Sequence, residues 1–235
     1  MPIEIGMGLL WYAVFIVSLT FHEAAHGLVA WRFGDRTARD AGLVTLDPIA
    51  HMQRSPVGMI IVPIASFLLG GWMMGWASAP YDPHWAHRNR RQAALMALAG
   101  PVANLVLVLV AAALIRSGMA FGVFTAPQTA TFEQITMAHA PGIAQGAAVF
   151  VSVLLSLNLI LLLFNLLPLP PLDGSEILTL FLSDRAAERY RAFLAQPGFH
   201  MIGLVIAWNL MGFVVRPAQT LALNLLYPGA GYGPH

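Results

Sequence analysis

The stretch "LTFHEAAHGLVAW", Leu19 to Trp31, places two histidines and a glutamate inside an otherwise apolar segment. On a helix, residues four apart lie on the same face, so His22 and His26 can present ring nitrogens to one ion. Glu23 then projects beside them. The pattern H-E-x-x-H on a helix is the zincin arrangement, in which both imidazoles bind zinc and the glutamate acts as general base.

The location of this motif strengthens its functional interpretation. An ionisable group inside a membrane helix costs several kcal/mol unless it has a partner, so such residues indicate a functional site. The alternative is that these groups line a helix interface or a proton path. The chain has no cysteine, which excludes disulfides and thiolate ligands, so any metal must be held by histidine and carboxylate.

The composition predicts a membrane protein. Of 235 residues, 58% are hydrophobic and only 10% are charged, and the mean hydropathy is +0.70. These values lie far from those of an ordinary soluble domain. The net charge is +1, and the 12 cationic residues, all arginine, fall in short scattered groups. We therefore expect no nucleic-acid partner.

Five apolar segments approach the roughly 20 residues that a spanning helix needs. They lie at about 7–31, 57–76, 93–115, 144–167 and 199–215. The sequence predicts an all-α polytopic membrane protein with four to five membrane segments. Its N-terminus has no positive region or small-residue cleavage site, which favours a retained first helix over a signal peptide.

Two segments outside the apolar runs have their own patterns. "AGLVTLDPIA", residues 41–50, has the β-branched and turn residues of a short strand or β-hairpin near the membrane surface. Residues 183–196 have the pattern of an amphipathic surface helix that ends before Pro197-Gly198.

The arginines indicate how the segments cross. They follow the first, second and fourth apolar segments, and loop 117–141 has none. The positive-inside rule then makes these three groups cytoplasmic and loop 117–141 external. Both ends of 57–76 would lie on one side, so this segment would be re-entrant, which Pro63 and Gly70-Gly71 make plausible if protein shields it. A plain crossing is the alternative.

A catalytic zinc of this type needs a third protein ligand. Besides Glu23, the carboxylates next to a long apolar run are Asp173 and Glu176, in "NLLPLPPLDGSEI" (165–177). The prolines of this stretch cannot continue the preceding helix, so the backbone must unwind and a new helix can begin near Asp173. We predict Asp173 as the third ligand, with a helix N-cap as its alternative role. Glu176 fits a capping or interfacial role.

The direction of the helices provides a second argument for the topology. Asp173 follows the end of the fourth segment, and His22 lies in the second half of the first. The two can meet only if these segments run in the same direction. If 93–115 crosses, 57–76 should not cross fully, in agreement with the arginines. Both arguments place the site near the cytoplasmic leaflet.

Three motifs together resemble a known family. "HEAAH", "ALAGPVAN" (97–104) and "NLLPLPPLDG" (165–174) are similar to the site-2 protease family of intramembrane zinc metalloproteases, especially its short prokaryotic branch. "GWASAP" (75–80) also resembles a loop of that branch, which usually has lysine where this chain has Ser78. The resemblance implies His22, His26 and Asp173 as ligands of one Zn²⁺ per chain.

The resemblance also implies an architecture and further roles. It implies a three-helix metalloprotease core (about 7–31, 93–115 and 144–182) in a single integral membrane domain, 1–235, with Glu23 as catalytic base. Asn104 would support the site or contact the substrate backbone, and Asn165 could supply an amide to the substrate or to the oxyanion. For each asparagine, a hydrogen bond between helices is the alternative.

These observations predict a zinc-dependent intramembrane endopeptidase that cleaves a transmembrane segment of another membrane protein. The expected partners are that transmembrane substrate and the lipid bilayer, in a multi-pass protein of a prokaryotic plasma membrane. Two alternatives stay open: a metal or ion transporter, and a non-catalytic relative that binds membrane partners. The sequence does not predict the oligomeric state.

Overall fold

The computed structural model describes residues 5–233, so the first four and last two residues of the predicted domain lie outside the described residues. Within that range the chain forms ten α-helices and one small sheet. The helices are α1 (Ile5–Arg32), α2 (Thr37–Asp40), α3 (Pro48–Arg54), α4 (Val62–Gly70), α5 (Pro83–Arg88), α6 (Arg90–Ala120), α7 (Ile143–Asn165), α8 (Asp173–Ile177), α9 (Asp184–Leu194) and α10 (Phe199–Leu226).

Among residues 5–233, four helices are long and apolar enough to cross a membrane: α1, α6, α7 and α10. The core lies where α1, α6 and α7 pack together, and its fully buried side chains include Phe15, Ile115 and Leu155. Large apolar side chains also point outward, for example Leu109 and Phe213, as expected where lipid replaces water. The prediction of an all-α polytopic membrane protein is confirmed.

The predicted strand at residues 41–50 is wrong. Residues 41–47 form turns and bends, and α3 begins at Pro48. Asp47 caps this helix because its side chain accepts a hydrogen bond from Ile49 N at 2.9 Å, and a proline is well suited to the first helical position. These start signals outweigh the β-branched residues before them. The two-stranded sheet lies elsewhere, where β1 (Phe124–Thr125) pairs with β2 (Met137–Ala138) in the segment between α6 and α7.

Residues 57–82 form a hairpin that turns back on itself. A π-helical turn (Val57–Ile61) leads into α4, at a bend of 113° from α3. Gly71, with φ +74°, ends α4 in the left-handed conformation, and the chain returns without regular structure through residues 73–82, here called the strap. Trp76 N donates to Gly58 O at 3.1 Å, so the strap comes back to the level at which the hairpin began.

Two glycines allow this close return. A Cβ on Gly58 would strike the carbonyl oxygen of Trp76. A Cβ on Gly75 would strike the carbonyl oxygen of Gly58. The two arms can therefore pack backbone against backbone only because both positions lack a side chain. This geometry favours the re-entrant interpretation of 57–76 over a plain crossing.

The arginine groups meet at one end of the bundle. Arg90, at the start of α6, pairs with Asp184, at the start of α9, with 2.7 Å between Nη2 and Oδ1. Arg116 lies at the far end of α6, where it donates to the carbonyl of Leu226 at 2.8 Å. The arginine groups that follow the second and fourth apolar segments therefore share a side, and α9 forms the surface helix that the sequence predicted.

Single cysteines can test the hairpin, because the chain has no cysteine of its own. We predict that Arg54→Cys and His84→Cys, both at exposed positions, react with a membrane-impermeant maleimide from the same face of sealed vesicles. Gln128→Cys, exposed between α6 and α7, should react only from the other face. Labelling of positions 54 and 84 from opposite faces would show that the segment crosses fully.

Candidate metal centre

Three side chains converge between α1 and the start of α8. His22 and His26 lie one turn apart on α1, and their Nε2 atoms are 3.0 Å apart. Asp173 Oδ2 lies 3.2 Å from His22 Nε2 and 3.4 Å from His26 Nε2. Within residues 5–233 this is the one group of three or more such side chains whose donor atoms converge in this way. The structure thus brings together the three predicted ligands.

Asp173 reaches the histidines because α7 ends early. The last residue of α7 is Asn165, the proline-rich stretch after it is non-helical, and Asp173 is the first residue of α8. Gly174 lies so close to the carbonyl oxygens of Leu166 and Leu167 that no Cβ would fit there. The break therefore folds tightly against the end of α7 and directs the carboxylate inward. Asp173 makes no side-chain cap bond, and its alternative role as an N-cap is not observed.

The donor geometry fits a tetrahedral zinc ion. Ligands at about 2.0–2.1 Å in a tetrahedron stand about 3.3 Å apart, close to the three measured separations. Asp173 Oδ2 is buried and has no hydrogen-bond partner, a costly state for a carboxylate oxygen unless a cation compensates it.

A glycine on α6 lies against both imidazoles. A Cβ on Gly100 would lie within 2.5 Å of His22 Nε2 and closer still to His26 Nε2. Position 100 therefore keeps the space beside both imidazoles free.

The other ring nitrogen of each histidine, Nδ1, makes a hydrogen bond within the protein. His26 Nδ1 lies 2.7 Å from the carbonyl oxygen of Met96, and His22 Nδ1 lies 2.7 Å from Asn104 Oδ1. Both partners accept hydrogen bonds, so Nδ1 carries the proton and Nε2 presents its lone pair. This is the usual arrangement around a histidine that binds a metal. Asn104 is fully buried between the helices, which fits its predicted supporting role.

Glu23 is held by the strap. Its Oε2 accepts a hydrogen bond from Ala79 N at 2.5 Å. Three residues further on, Asp82 N donates to Asp35 Oδ2 at 2.8 Å. Burial alone would raise the pKa of Asp35, but hydrogen bonds from Thr37 and Asp82 outweigh it and lower that pKa. The carboxylate of Asp35 is therefore a stable anchor for the strap at neutral pH.

The structure places two further predicted residues outside this cluster. Asn165 lies at the end of α7, where its amide donates to the carbonyl of Leu161 at 3.1 Å. Its role toward substrate stays a prediction. Glu176 pairs with Arg191 of α9 and so ties α8 to the surface helix. That pairing matches the interfacial role expected for Glu176.

Two residues that support the site, Asp35 and Asn158, were not predicted from the sequence. Asp35 is buried, but its anchor partner is a main-chain N–H 47 residues away in sequence, which no spacing pattern reveals. Asn158 is a fully buried amide in α7 that bonds Asn104. A polar residue inside an apolar helix is a signal that could have found it.

Comparisons with known proteins agree with this geometry. The family model described as "Peptidase family M50" matches residues 11–209. The chain belongs to peptidase family M50. It is 38% identical over 206 residues to "Putative zinc metalloprotease YwhC" of Bacillus subtilis (strain 168), across 86% of this chain and 82% of the relative. It is 31% identical over 202 residues to "Putative zinc metalloprotease Rip2" of Mycolicibacterium smegmatis (strain ATCC 700084 / mc(2)155), across 86% and 68%. No solved structure matches the chain.

Membership in family M50, the site-2 protease family, confirms the resemblance drawn from the three motifs. The protein is a metalloendopeptidase of the site-2 protease type, and its apolar helices make it a multi-pass membrane protein. The predicted ligands and base, His22, Glu23, His26 and Asp173, all lie within the matched range.

A methyl group at position 100 should disturb this centre. We predict that Gly100→Ala lowers zinc affinity by about tenfold or more, because the added Cβ displaces the imidazoles. Gly146→Ala is the matched control, since Gly146 also lies in a helix but a Cβ there meets nothing within 4 Å. Competition with a fluorescent chelator measures both. Equal affinity in the two variants would show that the imidazoles do not bind the metal beside Gly100.

Proposed function

We propose that this family M50 member is an intramembrane endopeptidase that uses one zinc ion per chain to cut a transmembrane segment of another membrane protein. The observation that carries the proposal is the convergence of two imidazoles and a buried carboxylate oxygen in an apolar bundle, with the buried Glu23 next to His22 on α1. Polar side chains at that depth are costly and indicate function. We further propose a prokaryotic plasma membrane as the location.

The residues divide the chemistry among them. His22 Nε2, His26 Nε2 and Asp173 Oδ2 would hold zinc, which lowers the pKa of water and polarises a carbonyl when it is bound. Glu23 would accept the proton of the attacking water at a carboxylate oxygen and pass it to the leaving amine. The hydrogen bond from Ala79 fixes one oxygen of Glu23 and thereby orients the other.

The arginines support a site facing the cytoplasmic leaflet. The arginine-bearing ends of α6 and α9 meet through the pair Arg90–Asp184. The α1 helix ends at Arg32, ten residues beyond His22. By the positive-inside rule this end of the bundle faces the cytoplasm. Cleavage would then occur in the cytoplasmic half of the substrate's transmembrane segment.

The strap is the best candidate for a surface along which an unwound substrate passes. It has no regular secondary structure, and it hydrogen-bonds the proposed catalytic base. An extended peptide can pair with such a backbone edge. Residues 41–50, for which the sequence predicted a short strand, form turns and a helix start instead. We therefore assign this role to the strap.

The two alternatives gain no support from the structure. An ion path through the bilayer needs a file of ionisable groups, whereas residues 5–233 contain one group of three or more His, Asp or Glu side chains whose donor atoms converge. A protein that only binds partners has no use for Glu23, which the zinc ligands do not need. Family membership as a peptidase also favours cleavage.

Glu23→Gln separates metal binding from catalysis. We predict that the wild type and this variant each bind one zinc per chain, because Glu23 is not one of the proposed ligands. Its cleavage of a single-span model substrate in proteoliposomes should fall by about 10²-fold or more, because glutamine cannot accept the proton. Elemental analysis gives the zinc content, and mass spectrometry of the products gives cleavage. Unchanged cleavage by Glu23→Gln would contradict the proposal.

His22→Ala and Asp173→Ala serve as the companion variants. Each should lose zinc as well as activity, since each removes one of three protein ligands. Full zinc content in Asp173→Ala would place the third ligand elsewhere.

Substrate unwinding should limit the rate. A helix hides its own peptide bonds, so the target segment must open before attack. We predict that a model substrate with Gly-Pro in the cytoplasmic half of its span is cleaved at least about tenfold faster than an all-leucine span, because Gly and Pro weaken helix by about 1 and 3 kcal/mol. Equal rates for both substrates would show that unwinding does not control cleavage.

A further inference from the structure

A chain of buried amides leads away from the metal centre, and its far end has no role in the chemistry described above. Asn158, in the middle of α7, is fully buried, as is its neighbour Asn104 on α6. Asn104 Nδ2 donates to Asn158 Oδ1 at 2.9 Å. A buried amide in an apolar helix is costly unless its donors and acceptor are satisfied, so the partners of Asn158 are informative.

The orientation of Asn158 follows from a main-chain carbonyl. Its Nδ2 lies 2.8 Å from the carbonyl oxygen of Leu154 and 2.9 Å from Ser18 Oγ. A carbonyl oxygen can only accept, so the atom that faces Leu154 must be the NH₂ group. Ser18 donates its own hydrogen to the carbonyl of Val14 at 2.7 Å and is therefore an acceptor toward Asn158. Both contacts fix Asn158 Oδ1 toward Asn104.

The same reasoning continues to the metal ligand. Because Asn158 Oδ1 is an acceptor, Asn104 must turn its NH₂ group toward it, and this leaves Asn104 Oδ1 facing His22 Nδ1. His22 Nδ1 must then carry the proton. Its Nε2 is left with a lone pair on the side of His26 and Asp173.

The two histidines differ in the group that keeps the proton on Nδ1. His26 Nδ1 faces the carbonyl of Met96, a group that can only accept. His22 Nδ1 faces a side-chain amide, which can present either an oxygen or an NH₂ group. A further contact is therefore needed to keep the oxygen of Asn104 toward His22. Asn158 provides it, because its Oδ1 accepts a hydrogen bond from Asn104 Nδ2.

We propose that Asn158 is a positioning residue that acts through Asn104 to hold His22 in the tautomer that binds zinc. Without its acceptor, the amide of Asn104 can turn and present NH₂ to His22 Nδ1, which favours a proton on Nε2. The relay links α7, α6 and α1, so correct packing of all three helices is required for a competent ligand. This inference rests on the metal site of the proposed function.

The variant Asn158→Leu removes the acceptor and keeps the branched shape of the side chain. We expect its zinc affinity, measured by chelator competition on purified protein, to fall by about tenfold to 100-fold, as for other partners of metal-binding histidines. Ser152→Ala is the control. Ser152 is also buried on α7 and bonds the main chain of Ile135 and Thr136. Its loss should affect thermal stability and leave zinc affinity unchanged.

A double-mutant cycle tests whether Asn158 acts through Asn104. In an Asn104→Ala background, Asn158→Leu should cause no further loss of zinc affinity. Asn104→Asp should restore zinc binding to Asn158→Leu, because a carboxylate presents an acceptor to His22 in either orientation. A purely structural role would give additive losses and no rescue, and either of these results would overturn the proposal.

Nitrogen-15 NMR of histidine-labelled, zinc-free protein provides a direct readout of the tautomer. His22 should change from an Nδ1 proton in the wild type toward an Nε2 proton in Asn158→Leu. If that variant does not accumulate, Asn158→Ser replaces it, since its hydroxyl can bond Leu154 but is too short to reach Asn104. Wild-type protein that binds no zinc would refute the proposed function. Wild-type affinity and an unchanged tautomer in a folded Asn158 variant would refute this inference alone.

Discussion

A carboxylate oxygen buried in an apolar bundle needs a compensating charge. Asp173 Oδ2 is such an oxygen, and the arrangement of the helices around it depends on this need. The oxygen has no hydrogen-bond partner and lies 3.2 and 3.4 Å from two imidazole nitrogens. An uncompensated charge at that depth would cost several kcal/mol. Binding of a divalent cation would remove this penalty, so metal binding and bundle stability should be coupled.

The positions of the helices follow from bringing this carboxylate to the histidines. The α7 helix must end at Asn165 and the chain must fold back tightly at Gly174, where no side chain fits. The α1 and α7 helices must run in the same direction, so the segment between α1 and α6 must return to its own side. The hairpin that meets this need also carries the strap, which places a main-chain N–H on Glu23. Topology and active-site geometry therefore have a common cause.

Much of this arrangement could be predicted from the sequence, because its signals are local. Spacing on one helix gives His22, Glu23 and His26, and a run of prolines before Asp173 gives the helix break. The error at residues 41–50 arose because the β-branched residues were given more weight than the Asp47-Pro48 helix start. Asp35 was missed because its anchor partner is a main-chain group 47 residues away in sequence. Long-range backbone contacts leave no pattern in a single sequence.

The two proposed ligands on α1 differ in whether one helix or several fix the orientation of their rings. A main-chain carbonyl fixes His26, and the fold of α6 alone supplies it. His22 instead depends on two amides from two other helices, whose orientation is set by the carbonyl of Leu154 and by Ser18. A displacement of α7 would therefore affect His22 and Asp173 together, because both depend on that helix, while His26 keeps its orientation. The competence of the metal centre is thus most sensitive to the packing of α7 against α1 and α6.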